Sequence, residues 1–353
     1  RRMTAFYGDL RVGSPAQVLS VVFDTGSGNL IVPGDDCASA ACANHHRFKA
    51  EASSTARSIN CDGTEILPNA WPDELTINFG TGYITGQCMQ DRICFGHTCS
   101  RSMFISALDE STHPFAEFGF DGILGMALPE MSQGRDFSMI KHLVGKQDLR
   151  APIFSVFLST SESEPSEVKF GDVNEDHMDG DLFWLPVQGE NGYWEVQIDD
   201  ITLGGERQRL CQDCKVAVDT GTSNLAGPTV INEELLRRFN LAEDCSNFDR
   251  LPDLGFAVGD HILTLRPADF VERTDSGCQM SLMNLDVPPP KGPLFVFGIP
   301  FLQRYYSVYD PVKRRVGFAP AKQRSKVNPL RSVGSKRLRS HGVVDVQLQA
   351  QLN

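Results

Sequence analysis

The stretch Val22-Phe23-Asp24-Thr25-Gly26-Ser27 returns in kind as Ala217-Val218-Asp219-Thr220-Gly221-Thr222, 195 residues further on (219 − 24). Each copy is an apolar run closed by Asp, Thr, Gly and a hydroxyl residue. One such segment reads equally well as an ordinary strand-to-turn junction, because Asp and Gly are common turn residues. Two, in matching contexts in the two halves of one chain, point to an internal duplication that brings a pair of carboxylates face to face.

Asp24 and Asp219 are therefore the candidate catalytic pair. Two carboxylates held close together cannot both ionise cheaply, so one keeps its proton over a broad acidic range. The ionised member can take a proton from a water as that water attacks a peptide carbonyl. The protonated member can hydrogen-bond the carbonyl oxygen before a proton passes to the leaving nitrogen. The proton belongs to the pair, not to either residue. The neighbours have physical tasks of their own. Gly26 and Gly221 permit a tight turn that aims backbone amides at the carboxylates. Thr25 and Thr220 can hydrogen-bond across to the opposite loop. Ser27 and Thr222, three residues after each Asp, can donate to the outer carboxylate oxygens.

The chain has 353 residues, 41% hydrophobic and 22% charged, enough for two soluble domains with cores of their own. A net charge of −12 argues against nucleic acid as a partner, since phosphate binding needs a basic surface. No apolar run reaches the roughly 18–20 residues of a membrane helix; the longest, Pro293 to Leu302, contains Pro300. The first residue is Arg1, which fits a processed or trimmed piece.

Short β-branched and aromatic runs separated by Gly dominate the pattern: Val18–Phe23, Leu75–Phe79, Ile153–Leu158, Val196–Leu203, Leu294–Phe297 and Tyr305–Tyr309. They predict a mostly-β protein. Helices are expected over Asp136–Val144 and over Asn232–Phe239, with Asn232 as cap. The polar loop Ser159–Glu167 lies near the midpoint and marks the division between lobes. The expected organisation is 1–170, 171–322 and a tail, 323–353. That tail holds Arg324, Lys326, Arg331, Lys336, Arg337 and Arg339 against Asp345, a net +5 that leaves −17 on the rest. Its composition reads first as a disordered surface tail; an address signal or a contact with an anionic surface is a sharper reading, and binding back onto the acidic body a third.

Ten cysteines fit structural disulfides in an oxidising compartment. Cys37 and Cys42 bracket one short loop, Cys211 and Cys214 another, and Cys245 and Cys278 a longer one. Cys211 and Cys214 lack the βαβ context of a redox motif and the partner ligands of a zinc site. Cys61, Cys88, Cys94 and Cys99 allow three connectivities. A hairpin staple between Cys94 and Cys99, leaving Cys61 with Cys88, is one of them. His45-His46 reads as a polar loop, since further metal ligands are missing at useful spacing. No metal and no cofactor is expected. The sequence has no Asn-x-Ser/Thr glycosylation site.

From Phe6 to Ala321 these residues resemble the pepsin-like aspartic proteases. Phe6-Tyr7-Gly8 to Gly13-Ser14-Pro15-Ala16-Gln17 is similar to the family's opening strand and turn. Phe120-Asp121-Gly122-Ile123-Leu124-Gly125 and Phe295-Val296-Phe297-Gly298 are similar to the two segments that thread beneath its Asp loops. Tyr305-Tyr306-Ser307-Val308-Tyr309-Asp310 to Gly317-Phe318-Ala319-Pro320 is similar to its closing strands. The resemblance implies a bilobal β fold with two pseudo-twofold-related lobes, each giving one Asp to a central cleft. It implies disulfides 37–42, 211–214 and 245–278. It also implies a flap hairpin over Ile77-Asn78-Phe79-Gly80-Thr81-Gly82-Tyr83-Ile84-Thr85-Gly86. The cleft of such proteins binds an extended peptide, with side-chain pockets alternating along it. The implied activity is that of an aspartic endopeptidase with an acid optimum, made as a zymogen. It would be monomeric and routed through the secretory pathway to an acidic vacuole- or lysosome-like compartment or outside the cell.

The chain departs from the family pattern in places. Phe79 stands where Tyr is usual and Ile31 where Trp is usual. Both polar ends of one hydrogen-bond chain are thereby absent, which argues for repacking: loss of one alone would strand a buried donor or acceptor at roughly 1–3 kcal/mol. Gly28 stands where Ser is commoner, which predicts a looser loop. Phe79, Ile31, Phe115 and Ile123 would make the first-lobe side of the cleft apolar and favour hydrophobic residues around the cut bond. Tyr193-Trp194 either lines the far side or packs. A non-catalytic binding protein would be expected to lose an Asp or a flap glycine, yet Asp24, Asp219, Gly80 and Gly82 all stand. A half-enzyme that must dimerise is unnecessary with two Asp loops in one chain.

Overall fold

Each Asp loop is built on the same arrangement of three strands. Gln17–Asp24 runs parallel to Gly122–Gly125, with Asp24 opposite Gly125, and Leu30–Pro33 lies antiparallel on the far side of that same strand. In the second half, Cys214–Val218 runs parallel to Leu294–Phe297, which Leu225–Gly227 meets antiparallel. The two threading strands are buried at every residue. A continuously apolar run fits only where both sheet faces are covered, which places it at the centre of each arrangement.

The fold is a computed structural model that describes residues 4–96, 98–145, 149–161, 163–274, 277–323 and 343–352, with no side-chain description at 4, 143, 144 and 352. It is mostly β and bilobal. A 14-stranded sheet crosses both halves, beside smaller sheets of five, four and two strands. The flap is the hairpin of Glu74–Asn78 and Tyr83–Phe95. The predicted run Val196–Leu203 is two strands, Glu195–Ile198 and Asp200–Leu203, which join different sheets on either side of Asp199. The loop expected over Ser159–Glu167 stops at Pro165, because Ser166 and Glu167 already pair with their neighbours.

The helices begin elsewhere than expected. Arg135–Phe137 is a 3₁₀ turn, and the α-helix runs over Met139–Val144 with Ser138 accepting from the Lys141 amide. The second helix is Thr229–Phe239 and follows Pro228. Asn232 is buried inside it, not at its cap; its amide donates to the carbonyls of Gly227 and Met283. A buried acceptor-rich neighbourhood outweighed the local capping preference of Asn.

The tail differs most from expectation. Val344–Leu352 is a strand in the middle of the large sheet, antiparallel to Thr4–Tyr7 on one side and to Ser166–Phe170 on the other. Val344, Val346 and Leu348 are 8%, 8% and 5% exposed, and alternate with polar Asp345 and Gln347. That period of two is a strand signal, hidden by the basic composition of the residues before it. Asp345 faces Lys169 at 3.5 Å across the pairing. Arg324, Lys326, Arg331, Lys336, Arg337 and Arg339 lie outside the described residues.

All ten cysteines pair. Cys37–Cys42, Cys211–Cys214 and Cys245–Cys278 form as the resemblance implied. Of the three open connectivities, Cys61–Cys88 with Cys94–Cys99 is the one adopted. Between the halves lies a run of aromatic contacts: Phe23 on Phe95, Phe95 on Phe170, Phe170 on Phe154, and Phe154 stacked on Tyr309 at 4.5 Å. Such rings bury large areas and are stiff, so they give the two Asp loops a shared, firm base.

Candidate active site

The two loops meet through their threonines. Thr25 Oγ1 donates to the carbonyl of Val218 at 2.8 Å and accepts from the Thr220 amide at 3.0 Å. Reciprocally, the Thr25 amide donates to Thr220 Oγ1 at 3.0 Å, and that hydroxyl donates to the carbonyl of Phe23. Both threonines are buried. Each hydroxyl therefore satisfies one donor and one acceptor of the opposite backbone, and the lobes are locked at the point where the carboxylates approach.

Each carboxylate is held in the same way. Asp24 Oδ1 accepts from the Gly26 amide at 2.8 Å and Oδ2 from Ser27 Oγ at 2.5 Å. Asp219 Oδ1 accepts from the Gly221 amide at 2.7 Å and Oδ2 from Thr222 Oγ1 at 2.5 Å. The glycines stand against the opposite carboxylate. A Cβ on Gly26 would lie 2.5 Å from Asp219 Oδ2, and one on Gly221 would lie 2.3 Å from Asp24 Oδ1. No side chain other than hydrogen leaves room for the pair. Burial first, then the charge of Asp219, pushes the Asp24 carboxyl well above the usual carboxylate range. The pair consequently holds a proton where an isolated Asp would have lost it.

The flap tip turns at Phe79-Gly80-Thr81-Gly82, closed by the Phe79 amide on the Gly82 carbonyl at 2.8 Å. A Cβ on Gly82 would lie 2.4 Å from Ser111 Oγ, so glycine there lets the hairpin rest on residues 111–113; Gly80 faces open space. Thr81 is exposed. Phe79 packs edge-on against Phe115, ring centres 5.5 Å apart. Ile31, Phe115 and Ile123 come together in one apolar cluster with Ile84 and Phe120, and line a cavity next to the flap. Ile31 is 2% exposed, and Phe79 and Ile31 lie within that same apolar packing. The two substitutions thus replace polar ends by packed hydrocarbon. Gly28 does not loosen its loop: a Cβ there would lie 2.6 Å from the backbone of Met131 and Ser132, which fills the space instead.

With this geometry in place, comparison with known proteins decides the family. Residues 5–321 match the model of the eukaryotic aspartyl proteases. The chain belongs to that family.

Its relatives include pepsin A of Bos taurus, 32% identical over 90% of this chain and 84% of the relative. A probable vacuolar protease A of Trichophyton verrucosum is 35% identical over 90% of this chain and 78% of its own length. Cathepsin E-B of Xenopus laevis is 31% identical over 89% and 79%. Membership makes the protein an aspartic endopeptidase with a peptide or protein substrate. Among the described residues no helix is long and apolar enough to cross a membrane.

In this aspartyl protease the structure resolves a choice that the sequence left open and adds a residue that it did not mark. Tyr193 and Trp194, adjacent in the chain, separate in role. Tyr193 is close enough to the pair that, after burial, the charges of Asp219 and Asp24 raise its phenol further. Trp194 is fully buried and donates through Nε1 to the Met126 carbonyl at 2.9 Å. Tyr309 stacks on Phe154 in the aromatic base, and its hydroxyl accepts from Ser307 Oγ at 3.3 Å. Glu110 lines the cavity beside Phe115 and Ile123 and is 5% exposed. Burial, and secondarily the charge of Asp109, pushes its carboxyl up to about 7. Neither sequence motif nor spacing marks Glu110; only folding brings it to the site. His45 and His46 serve the same wall: His45 Nε2 donates to the Phe118 carbonyl at 2.9 Å, and the His46 amide donates to Asp121 at 2.8 Å.

Proposed function

We propose that this aspartic endopeptidase cleaves peptide bonds at acid pH through Asp24 and Asp219, which share one proton and activate a water between them. The single observation that carries this reading is the equivalence of the two carboxylates. Each has the same amide and hydroxyl donors, and the opposite loop's glycine leaves each room to face its partner. The ionised oxygen takes the water's proton as the water oxygen bonds to the substrate carbonyl carbon. The shared proton supports the developing oxyanion, then passes to the nitrogen as the C–N bond breaks. Thr25, Gly26, Ser27, Thr220, Gly221 and Thr222 hold the pair in place and do not touch the scissile bond. No metal or covalent intermediate is needed in this scheme.

The flap residues Phe79, Gly80, Thr81 and Gly82 close over an extended substrate, and Ile31, Phe115 and Ile123 favour hydrophobic side chains flanking the cut. The lobes are assigned to 1–170 and 171–322. The enzyme acts as a monomer. Five disulfides support passage through an oxidising secretory compartment, with an acidic vacuole-like or extracellular destination. The test is cleavage of an unfolded protein from pH 3 to pH 7 by wild type, Asp24→Asn and Asp219→Asn, with mass-spectrometric mapping of the cut sites. Acid-side activity lost in both variants, with apolar residues at the cuts, is expected. Substantial activity in a folded Asp219→Asn protein would refute the dyad.

A further inference from the structure

The aromatic wall beside the flap is carried by a short segment whose Glu117 and Phe118 amides close local turns on the Pro114 and Phe115 carbonyls, while two distant side chains take the polar groups that those turns leave over. Phe115 meets Phe118 edge-on at 5.5 Å, and Phe118 stacks on Phe120 at 4.6 Å. Between them run Glu117, Phe118 and Gly119. Gln351, on the strand Val344–Leu352, accepts through Oε1 from the Gly119 amide at 2.7 Å and donates through Nε2 to the Glu117 carbonyl at 3.1 Å. The intervening Phe118 carbonyl accepts from His45 Nε2. A Cβ on Gly119 would lie 3.1 Å from Gln351 Oε1, so glycine there admits the carboxamide. Gln351 itself is fixed by pairing with Ala5 in the large sheet.

We infer that Gln351 is a positioning residue for substrate selection: its carboxamide ties the central sheet to Glu117–Gly119 and so fixes the wall of Phe115, Phe118 and Phe120. This rests on the reading that the wall and Phe79 receive a hydrophobic substrate side chain. The physical argument is one of complementarity. The carboxamide gives one donor and one acceptor, in a fixed plane, to one acceptor and one donor of the segment. Methionine has similar length and volume but offers neither group at useful strength. A glutamate at this position has both functions while protonated. Once ionised it keeps the acceptor for Gly119 but opposes the Glu117 carbonyl. The nearby titratable groups are Glu117, paired with His113 at 3.0 Å, and His45; they are common to every variant, so wild type at each pH is the reference.

The experiment uses the full chain as wild type, Gln351→Met and Gln351→Glu, with two peptides that differ only in Phe or Ala on the amino side of the cut. The ratio of their kcat/KM values is read at pH 4 and pH 6.5, with thermal midpoints measured alongside. Loosening the wall is expected to lower the Phe:Ala ratio about fivefold in Gln351→Met, through KM, with kcat within about twofold. Gln351→Glu should match wild type at pH 4 and approach Gln351→Met at pH 6.5; this arm needs only one folded variant. An unchanged ratio in Gln351→Met overturns the inference. So does an equal loss on both peptides that tracks a lowered midpoint, or a Gln351→Glu ratio that keeps step with wild type at both pH values. Wild type that cleaves both peptides without discrimination would instead bring down the pocket reading on which the inference rests.

Discussion

The threonine lock between the Asp loops can be broken one hydroxyl at a time. Thr25→Val keeps the branched shape and removes only Oγ1. The Val218 carbonyl then loses a donor at 2.8 Å, and the Thr220 amide loses an acceptor at 3.0 Å. Thr25 is 1% exposed and Thr220 4%, so water does not replace the missing oxygen without opening the loops. Each orphaned buried group costs about 1–3 kcal/mol, which gives about 2–6 kcal/mol for the pair. Thr25→Ser keeps the hydroxyl and should cost about 1 kcal/mol or less. The carboxylates would also lose their fixed separation, and a misplacement of about 1 Å is worth about 100-fold in rate. Urea unfolding with the disulfides intact reads the first quantity, and kcat/KM on a peptide substrate reads the second. If Thr25→Val unfolds within about 0.5 kcal/mol of Thr25→Ser and keeps its kcat/KM, the hydroxyl is not what holds the loops together.

Glu110 sets a pH dependence whose sign is fixed by its raised value. Its folded carboxyl titrates at about 7 against an unfolded 4.5, so its contribution to stability is complete below 4.5 and is lost as pH rises to 7. That loss is about 3 kcal/mol. Unfolding measured at pH 4.5 and 7 should show it in wild type and not in Glu110→Gln; equal slopes would contradict it. Truncation after Gln323 removes the strand Val344–Leu352, with its three buried aliphatic side chains, and exposes two sheet edges. We expect loss of several kcal/mol, on the order of 1.5–3 for each buried side chain, and a tendency to aggregate; a soluble, fully active truncated enzyme would count against the strand's role. Phe79→Tyr adds a hydroxyl to an apolar environment without supplying the polar partner that Ile31 lacks. It should leave kcat/KM the same or lower, and a several-fold rise would show that a partner exists.

Much of the site was legible because chemistry of this kind leaves local marks. Asp24 and Asp219 announce themselves by repetition, and Gly26, Gly221, Ser27 and Thr222 by spacing, since each must reach a carboxylate two or three residues away. The threading strands were legible as apolar runs ending in glycine. Gly28 was misread, because its reason is a backbone approach from Met131–Ser132, a hundred residues on.

What the sequence determined by itself is the class of protein: a duplicated, mostly-β chain with two Asp loops and an even set of cysteines. Those follow from periodicity and local chemistry, which act over a few residues. The tertiary structure decided what depends on distant segments meeting. It paired Cys61 with Cys88 and sent Trp194 into the core but left Tyr193 near the carboxylates. It buried Glu110 beside the flap. It also set Val344–Leu352 between a strand from the start of the chain and one from its middle, where two open sheet edges outweighed the basic composition of the segment leading to it.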